Sequence, residues 1–322
     1  MQVLVTGATG YLGGQVVRAA LERGHAVRAL VRPGRPRGWL EELGVACVEG
    51  DLLDEPSLLA ATRGAEGLVH CAARTGYWSK QNVEQRRINV EGSSALLRAA
   101  GHRGLARIVH VSSIAAVGAN RDRSPLTEES PWLGRDGPAV HYALTKRESE
   151  ERALAAVRQG LPVVVVNPGA LLGPRADGGR KGGLAARARS GPGRVPPGGG
   201  TFSDVCDAAR GCLAALERGR IGERYLLGGH NLSWLELHSL LAARAGSRPP
   251  RGTRALWEGR VLERATTLLD VLGLSRPRFA PELYRIWGWY TCADSGKAAR
   301  ELGYAFRPLD ELVARALAAA EG

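Results

Sequence analysis

The amino-acid sequence predicts an α/β protein in which a doubly wound parallel sheet carries helices on both faces. Short apolar runs alternate with helix-like segments rich in Ala, Leu and Arg, and this alternation is typical of repeated βα units. One run, residues 163–166, is four consecutive valines, as expected for a strand covered on both faces. A length of 322 residues suffices for one large domain with a smaller lobe beside it.

The predicted elements follow in order along the chain. The strands of the first half are predicted at residues 2–5, 26–31, 46–48, 67–70, 108–111 and 163–167, with a helix at 14–23. Residues 173–200 are rich in Gly, Pro and Arg and lack apolar periodicity, which predicts a long loop of the kind that forms lids. The later elements are predicted as a helix at 205–218, a strand at 223–227, a helix after Ser233 and a terminal helix at 309–320.

Composition and charge argue against several classes of protein. The net charge is +12, but the positive residues are spread along the chain and no nucleic-acid recognition motif accompanies them, so we expect no nucleic-acid partner. The five cysteines are scattered without a C-x-x-C pair, which argues against a disulfide framework and against a metal site. No apolar run approaches the roughly 20 residues of a membrane span, and the first residues do not resemble a secretion signal. We therefore expect a cytoplasmic protein without a membrane partner.

Three glycines, Gly7, Gly10 and Gly13, lie between the first predicted strand and the first predicted helix. Glycines at such a turn let the backbone approach a pyrophosphate, and the helix N-terminus offers free N–H groups and the positive end of its dipole. The pattern therefore predicts a dinucleotide site, the alternative being a tight turn with no ligand.

The end of the second predicted strand indicates which dinucleotide is preferred. Enzymes that use NAD place an acidic residue there to bind the adenosine 2′-hydroxyl, whereas this chain has Arg32. A guanidinium can pair with a 2′-phosphate through charge-assisted hydrogen bonds, so NADP is favoured and NAD stays possible. The alternative is that Arg32 is a solvated residue beside Arg35 and Arg37.

Tyr142 and Lys146 are spaced i and i+4 on a helix-like segment, so both lie on one face. An adjacent ammonium stabilises a phenolate, which would let the tyrosine transfer protons near neutral pH. Ser112 and Ser113 end the fifth predicted strand, at the edge where open α/β sheets bind ligands.

These motifs, TGATGYLG at 6–13, SSIAAVG at 112–118 and YALTK at 142–146, resemble the extended short-chain dehydrogenase/reductase family of the NAD-dependent epimerase/dehydratase superfamily. The nearest resemblance is to its dihydroflavonol-reductase-like and hydroxysteroid-dehydrogenase-like members. It implies a Rossmann fold in which Tyr142 protonates the substrate oxygen and Ser113 polarises it. It also implies that Lys146 binds the cofactor ribose and lowers the pKa of the phenol, while Asn89 supports the lysine.

The same resemblance implies a set of cofactor contacts along the chain. They run from the glycine-rich loop to the end of the sixth predicted strand: Gly7, Thr9, Gly10, Tyr11, Leu12, Gly13, Arg32, Asp51, Leu52, Cys71, Ala72, Ala73, Tyr142, Lys146, Pro168, Gly169, Ala170 and Leu171. His70 lies between two of these segments, and we interpret it as a packed core histidine.

We expect residues 1–170 to form the NADP-binding Rossmann domain, with 204–230 returning to it. Residues 171–203 and 231–322 would form a smaller, mostly helical lobe that binds the substrate. The expected activity is NADP-dependent reduction of a ketone or aldehyde, or oxidation of the alcohol, in a monomer or homodimer. Two alternatives stay open: a nucleotide-sugar epimerase or dehydratase with tightly bound NAD(P), and a dinucleotide-binding sensor or scaffold without turnover.

The residues before Phe202 favour an apolar carbonyl substrate over a nucleotide sugar. Sugar-nucleotide members of the family hold the substrate pyrophosphate through a basic residue there, whereas residues 196–201 contain no cation. The loop upstream carries cations that could instead fold over an anion: Arg175, Arg180, Lys181, Arg187, Arg189 and Arg194. An aromatic wall for an apolar substrate could come from Tyr77, Trp78, Trp287, Trp289 and Tyr290, with core packing as the alternative for each.

Overall fold

The computed structural model describes residues 1–78, 81–132, 137–138, 140–179, 183–191, 193–272 and 280–320. The strands are β1 (Gln2–Thr6), β2 (Ala26–Val31), β3 (Ala46–Glu49), β4 (Gly67–His70), β5 (Arg107–Val111), β6 (Val163–Pro168), β7 (Ala170–Leu172), β8 (Gly199–Asp204), β9 (Arg224–Leu227), β10 (His230–Ser233) and β11 (Tyr290–Thr291).

The α-helices are α1 (Tyr11–Glu22), α2 (Gly38–Glu42), α3 (Glu55–Ala61), α4 (Asn82–Arg86), α5 (Ser93–His102), α6 (Ile114–Val117), α7 (His141–Val157), α8 (Leu184–Arg189), α9 (Val205–Arg218), α10 (Trp234–Arg244), α11 (Leu256–Val271), α12 (Gly296–Leu302) and α13 (Leu309–Ala318). A π-helical segment, Arg87–Gly92, joins α4 to α5, and a 3₁₀ turn spans Pro281–Tyr284.

Seven strands form one parallel sheet in the order β3-β2-β1-β4-β5-β6-β9. The doubly wound Rossmann sheet that the sequence predicts is therefore confirmed. The strand order reverses between β1 and β4, and open α/β sheets bind their ligands in the crevice at such a reversal.

Both faces of this sheet are covered because successive residues of a strand point to opposite sides. Val3 and Val5 of β1 pack in a buried cluster with α1 and α9, whereas Leu4 belongs to a second cluster with α3, α5 and α7. Every residue of β6 is buried, which accounts for its run of valines.

A second sheet follows in the chain, with the order β10-β8-β11 and with β7 paired to β8. Its buried residue Phe202 packs in a cluster with α8, α10 and α13. Ser233 caps α10, and Glu236 completes a reciprocal capping box, so the helix begins where the sequence places it.

The smaller lobe is mostly helical, as expected, and it also contributes β8, β10 and β11 to this second sheet. One expectation needs correction. The predicted loop at 173–200 contains α8, and β8 begins at Gly199. These elements escaped prediction because they are only two to six residues long, so they carry little periodicity. Within the described part of the chain, no helix is long and apolar enough to cross a bilayer.

Candidate active site

A cleft of about 680 Å³ opens at the carboxyl ends of the central strands. It extends from Arg32 and Arg35, both exposed, to Tyr142 and Lys146. Of the predicted cofactor contacts, the structure brings the following to this cleft: Gly7, Thr9, Gly10, Tyr11, Leu12, Gly13, Arg32, Asp51, Leu52, Cys71, Ala72, Ala73, Tyr142, Lys146, Pro168, Gly169 and Leu171.

Two predicted site residues do not line the cleft. Ala170 lines a second cavity next to the cleft, and Asn89 is buried beside the cleft. Lining residues that sequence reasoning missed include Arg74 and Thr75, which continue the predicted segment at Cys71–Ala73, as well as Gln81 and Ile88. For the last two the sequence carries no motif that could have found them.

The glycine-rich turn is closed so tightly that side chains do not fit. Gly7 has a φ of +70°, and a Cβ there would lie 2.7 Å from the Ala72 nitrogen. A Cβ on Gly13 would lie 2.2 Å from the Gly7 carbonyl oxygen. The following helix, α1, has Gly10 at its N-cap and no side chain that caps it. Its positive end faces the cleft and suits a pyrophosphate.

His70, the last residue of β4, links the end of β1 to the start of α5. Its Nδ1 lies 2.7 Å from the Thr6 hydroxyl oxygen and its Nε2 lies 2.8 Å from the Ser93 hydroxyl. The Thr6 oxygen also accepts a hydrogen bond from the Ala72 N–H. Burial lowers the pKa of His70 to about 3, so the ring is neutral. It packs in the core, as expected.

Lys146 is buried under the cleft. Its Nζ donates a hydrogen bond of 2.7 Å to the carbonyl oxygen of Val111, at the end of β5. Burial lowers the pKa of Lys146 to about 8, and Glu150, one turn further along α7, opposes that shift. The lysine is thus held at the strand end by its backbone partner and kept charged by a buried carboxylate.

Tyr142 lies one turn before Lys146, against the hydroxyl of Ser113. The Ser113 oxygen accepts the N–H of Ala115, so its own O–H is available to donate. Burial raises the pKa of Tyr142, and a hydrogen bond with Ser113 offsets part of the rise. Without the cofactor, burial thus outweighs the Ser113 hydrogen bond in setting the pKa of Tyr142, and the lowering by Lys146 that the resemblance implies stays a prediction.

Asn89 is buried between the loop after β4 and α7, and the support of Lys146 that the resemblance implies stays a prediction. Its side-chain oxygen accepts the N–H of Arg74, and its amide donates to the Arg74 carbonyl and, over 3.2 Å, to the hydroxyl of Thr145. Among the described residues, Asn89 makes no hydrogen bond with Lys146, because the lysine side chain points to Val111. Asn89 therefore fixes the loop after β4 against α7.

A buried polar network behind the site escaped sequence reasoning. The amide of Asn167 donates to the Ser113 carbonyl over 3.0 Å and to Glu150 over 2.7 Å. Glu150 is fully buried and forms an ion pair of 2.6 Å with Arg224. The network joins the ends of β5, β6 and β9 to α7. Its one signal in the sequence was a glutamate at i+4 from the lysine.

The cleft also contains a polar atom without a partner. Among the described residues, the buried Ser112 hydroxyl has no hydrogen-bond partner, although it lines the cleft. Buried hydroxyls are rarely left unpaired in native proteins. The uncapped α1 terminus and the two exposed arginines are complementary to the phosphates of a dinucleotide, whereas Ser112 lies next to Val111, the partner of Lys146, towards the other end of the cleft.

A second cavity, which we call the chamber, adjoins the cleft and has a volume of about 290 Å³. Ser113, Tyr142 and Gly169 line both cavities. The chamber's other large lining side chains are Tyr77, Ile114, Trp132, Val140, Trp234, Ile286 and Trp289. No charged side chain is found among its described lining residues.

The predicted aromatic wall is therefore correct in part. Tyr77 and Trp289 line the chamber, whereas Trp287 is 8% exposed and packs edge-on against Tyr284. Trp78 and Tyr290 are not among the described residues that line it. Trp132 and Trp234 were missed, since neither belongs to a motif.

The described cationic side chains of the predicted loop at 173–200 bind other partners away from the chamber. Arg175 pairs with Asp177, Arg194 pairs with Glu258, and Arg189 donates to the Leu317 carbonyl. None of the described cations of this loop lines the chamber, including Arg187 on α8. Arg180 and Lys181 lie outside the described residues.

Comparisons with known proteins agree with this geometry. A family model described as the NAD dependent epimerase/dehydratase family matches residues 3–228. A putative dihydroflavonol 4-reductase from Synechocystis sp. is 36% identical, with 79% of this chain and 75% of the relative covered. Sterol demethylase protein B from Methylococcus capsulatus is 33% identical, with 94% and 93% covered. A 2-alkyl-3-oxoalkanoate reductase from Stenotrophomonas maltophilia is 32% identical, with 94% of each chain covered.

Solved structures give the same picture. The structure of gox2253 is 35% identical and superposes with a TM-score of 0.86, covering 99% of this chain and 97% of the other. That of PA4631, a nucleoside-diphosphate-sugar epimerase from Pseudomonas aeruginosa, is 28% identical with a TM-score of 0.78, covering 100% and 97%.

Proposed function

The chain belongs to the NAD dependent epimerase/dehydratase family, and within it we propose that the protein is an NADP-dependent reductase of apolar ketones or aldehydes. One observation carries the proposal: an apolar chamber without a charged lining residue, among those described, opens onto the hydroxyls of Tyr142 and Ser113. Pockets for small organic substrates are mostly apolar with a few polar groups that fix orientation.

The cleft would hold the dinucleotide along its length. Gly7 and Gly13 would let the backbone approach the pyrophosphate, and the N-terminus of α1 would face it. Arg32 and Arg35 are the cations at the adenosine end, where a 2′-phosphate would bind. When bound, the reduced nicotinamide supplies a hydride to the carbonyl carbon.

The side chains shared by cleft and chamber handle the oxygen. Ser113 donates a hydrogen bond to the carbonyl oxygen, and Tyr142 transfers its proton to that oxygen as negative charge develops. The raised pKa of Tyr142 keeps the phenol protonated at neutral pH, as a proton donor requires. The charged Lys146 is placed to bind the ribose and to stabilise the phenolate that the transfer leaves.

The names of several relatives support carbonyl reduction. Beside the reductases already described, one relative from Stigmatella aurantiaca is a ketoreductase of a farnesylated quinoline oxide, at 32% identity over 95% of this chain. The sterol, alkyl and farnesyl groups in these names are apolar, as is the chamber. We therefore propose a lipophilic carbonyl substrate, with a chamber formed between residues 1–170 and the substrate-binding residues 171–203 and 231–322.

The two alternatives fit less well. An epimerase or dehydratase must hold a sugar nucleotide, whose pyrophosphate needs cations that the described chamber lining does not contain. A sensor without turnover would not need Ser113, Tyr142 and Lys146 grouped at one end of the cleft.

A turnover screen tests the proposal. Aliphatic, alicyclic and aromatic ketones and aldehydes would be offered with NADPH and with NADH, and we expect oxidation of NADPH with apolar members of the panel. Calorimetry with UDP, dTDP and GDP is the second arm. Micromolar binding of any of the three, with no ketone turnover, would replace the reductase by an epimerase.

A further inference from the structure

Helix α11 presents an unusual surface to the solvent. Fourteen large hydrophobic residues are exposed in the described part of the chain, and seven of them belong to α11 or its C-cap: Leu256, Trp257, Val261, Leu268, Leu269, Val271 and Leu272. Trp257 is 66% exposed, Leu268 59% and Val271 78%. Such a concentration on one helix exceeds the scattered exposed hydrophobics of ordinary surfaces.

These residues form a stripe on the side of the helix that points away from the protein. Gly259 and Thr266 are the buried positions of α11. At roughly 100° per residue, Trp257, Val261, Leu268 and Leu272 lie on the opposite side, within about one-sixth of a turn of one another. A surface helix normally places polar residues there. We call these four residues the outer stripe.

Arginines flank the outer stripe. Arg260 and Arg264 are exposed, lie beside it on the same wheel, and form no ion pair among the described residues. The acids of the first half of α11 are already neutralised, since Glu258 pairs with Arg194 and Arg254, and Glu263 pairs with Arg285. The outer surface of α11 is therefore apolar and positively charged.

The inner side of α11 packs on the segment that forms one wall of the chamber. A Cβ on Gly259 would lie 2.7 Å from the Trp287 ring, and one on Gly288 would lie 2.7 Å from the Leu256 side chain. Ile286 and Trp289, in this same segment, line the chamber. A surface that covers the outer stripe would thus sit next to the substrate-binding cavity.

We propose that α11 docks the protein on an anionic membrane surface, with the outer stripe among the lipid chains and Arg260 and Arg264 at the phosphates. A helix with Trp and Leu on one side and arginines beside them is suited to lie in the interface plane. The helix lies on the bilayer and does not span it, so the docking is compatible with the lack of a spanning helix among the described residues.

A second copy of the chain is a poorer occupant of this surface. The outer stripe is centred between residues 264 and 265, so a two-fold pairing of stripes would place Arg264 next to the Arg264 of the other copy. The net charge of +12 adds to that repulsion, whereas it favours an anionic bilayer. The docking proposal does not depend on the proposed function. Only the further step, entry of a lipophilic substrate from the bilayer into the chamber, rests on that function.

Co-sedimentation of the full chain with lipid vesicles tests the docking. We expect binding to equimolar phosphatidylglycerol and phosphatidylcholine, and weak binding to phosphatidylcholine alone. The double variant Val261→Gln and Leu268→Gln should lose at least tenfold in affinity for the anionic vesicles, because two anchoring side chains become polar. Arg260→Gln and Arg264→Gln should each cost about fivefold.

Matched controls separate docking from folding and from catalysis. Val83→Gln and Ile221→Gln change apolar residues outside α11 that are 77% and 50% exposed, and both variants should bind like the parent. All variants should turn over a short water-soluble ketone at the parental rate, or retain the parental Tm if no ketone is turned over. No binding by the parent, or equal losses in the controls, would overturn the proposal. A dimer in sedimentation velocity that the stripe variants dissociate, without vesicle binding, would also overturn it and assign the surface to a second copy.

Discussion

The cofactor cleft and the chamber share a wall but are built in different ways. The cleft is lined by turns and strand ends, at Gly7, Asp51, Cys71 and Pro168, where each short segment contributes several neighbouring residues. The largest side chains of the chamber come singly from distant segments, as Trp132, Trp234 and Trp289 do. Under the proposed function, the cleft would recognise its ligand through backbone geometry and the chamber through shape and apolar area. The proposed chemistry would take place at Tyr142 and Ser113, which line both cavities.

Tyr142→Phe should have the largest effect, and it tests whether turnover depends on a side chain shared by the cleft and the chamber. The change removes the proton donor and almost no volume, so kcat should fall by about 10²- to 10⁴-fold while NADPH affinity stays near the parental value. Stopped-flow or steady-state turnover, with NADPH titration by fluorescence, measures both. The control is Tyr77→Phe, since the Tyr77 ring lies 5.9 Å from that of Tyr142 on the same chamber. Retention of a tenth of kcat would remove Tyr142 from its role.

Arg32→Ala should affect the cleft and leave the chamber unchanged. A charge-assisted contact of this kind is worth roughly 1.5–3 kcal/mol, so NADPH affinity should fall by about 10- to 150-fold while NADH affinity hardly changes. Isothermal titration with both cofactors measures the difference. Arg37→Ala is the matched control, because Arg37 pairs with Glu41 and Glu49 outside the described cleft lining. Equal affinities of the parent for the two cofactors would contradict the assignment.

The contrast explains how much the sequence could predict. Glycine spacing, a strand-end arginine and a Tyr-Lys pair are local signals, and they predicted the parallel sheet and most of the cleft lining. The chamber and the Asn167–Glu150–Arg224 network are made by tertiary contacts between segments far apart in the chain. Such contacts leave no periodicity or spacing to read. The second sheet was missed for a related reason, since β7 and β11 are only three and two residues long and β8 begins with two glycines, which leaves little apolar pattern.

The Asn167–Glu150–Arg224 network should have a smaller effect, which appears in the pH dependence of kcat/KM. In the proposed mechanism Lys146 would bind the cofactor as the ammonium, so kcat/KM for reduction should fall as the pH rises through about 8. Of the groups that face it, His70 and His110 have lowered pKa values and are neutral, and burial raises the pKa of Cys71 to about 12. Glu150 is therefore the charge among these described groups that sustains the ammonium.

Glu150→Gln removes that charge, and the alkaline fall in kcat/KM should move to lower pH. A role in packing alone would lower activity at every pH without moving this limb. Glu148→Gln is the control on the same helix, where Glu148 pairs with Arg86 and Arg152 near the surface. The pH profile of kcat/KM, taken with Tm values for each variant, separates the two explanations. If kcat/KM of a folded Glu150→Gln protein falls at the same alkaline pH as in the parent, Glu150 does not affect the pKa of Lys146.

The smallest predicted effect tests the chamber itself. If apolar area decides recognition there, each CH₂ added to a ketone contributes about 0.8 kcal/mol, and kcat/KM should rise about fourfold per step. The rise should end when the ketone fills the cavity of about 290 Å³. Trp289→Ala enlarges the cavity at its wall and should let the rise continue for longer ketones, while NADPH affinity stays unchanged because Trp289 is not among the described residues of the cleft. A series without dependence on chain length would mean that polar contacts select the substrate, and the division between cleft and chamber would then fail.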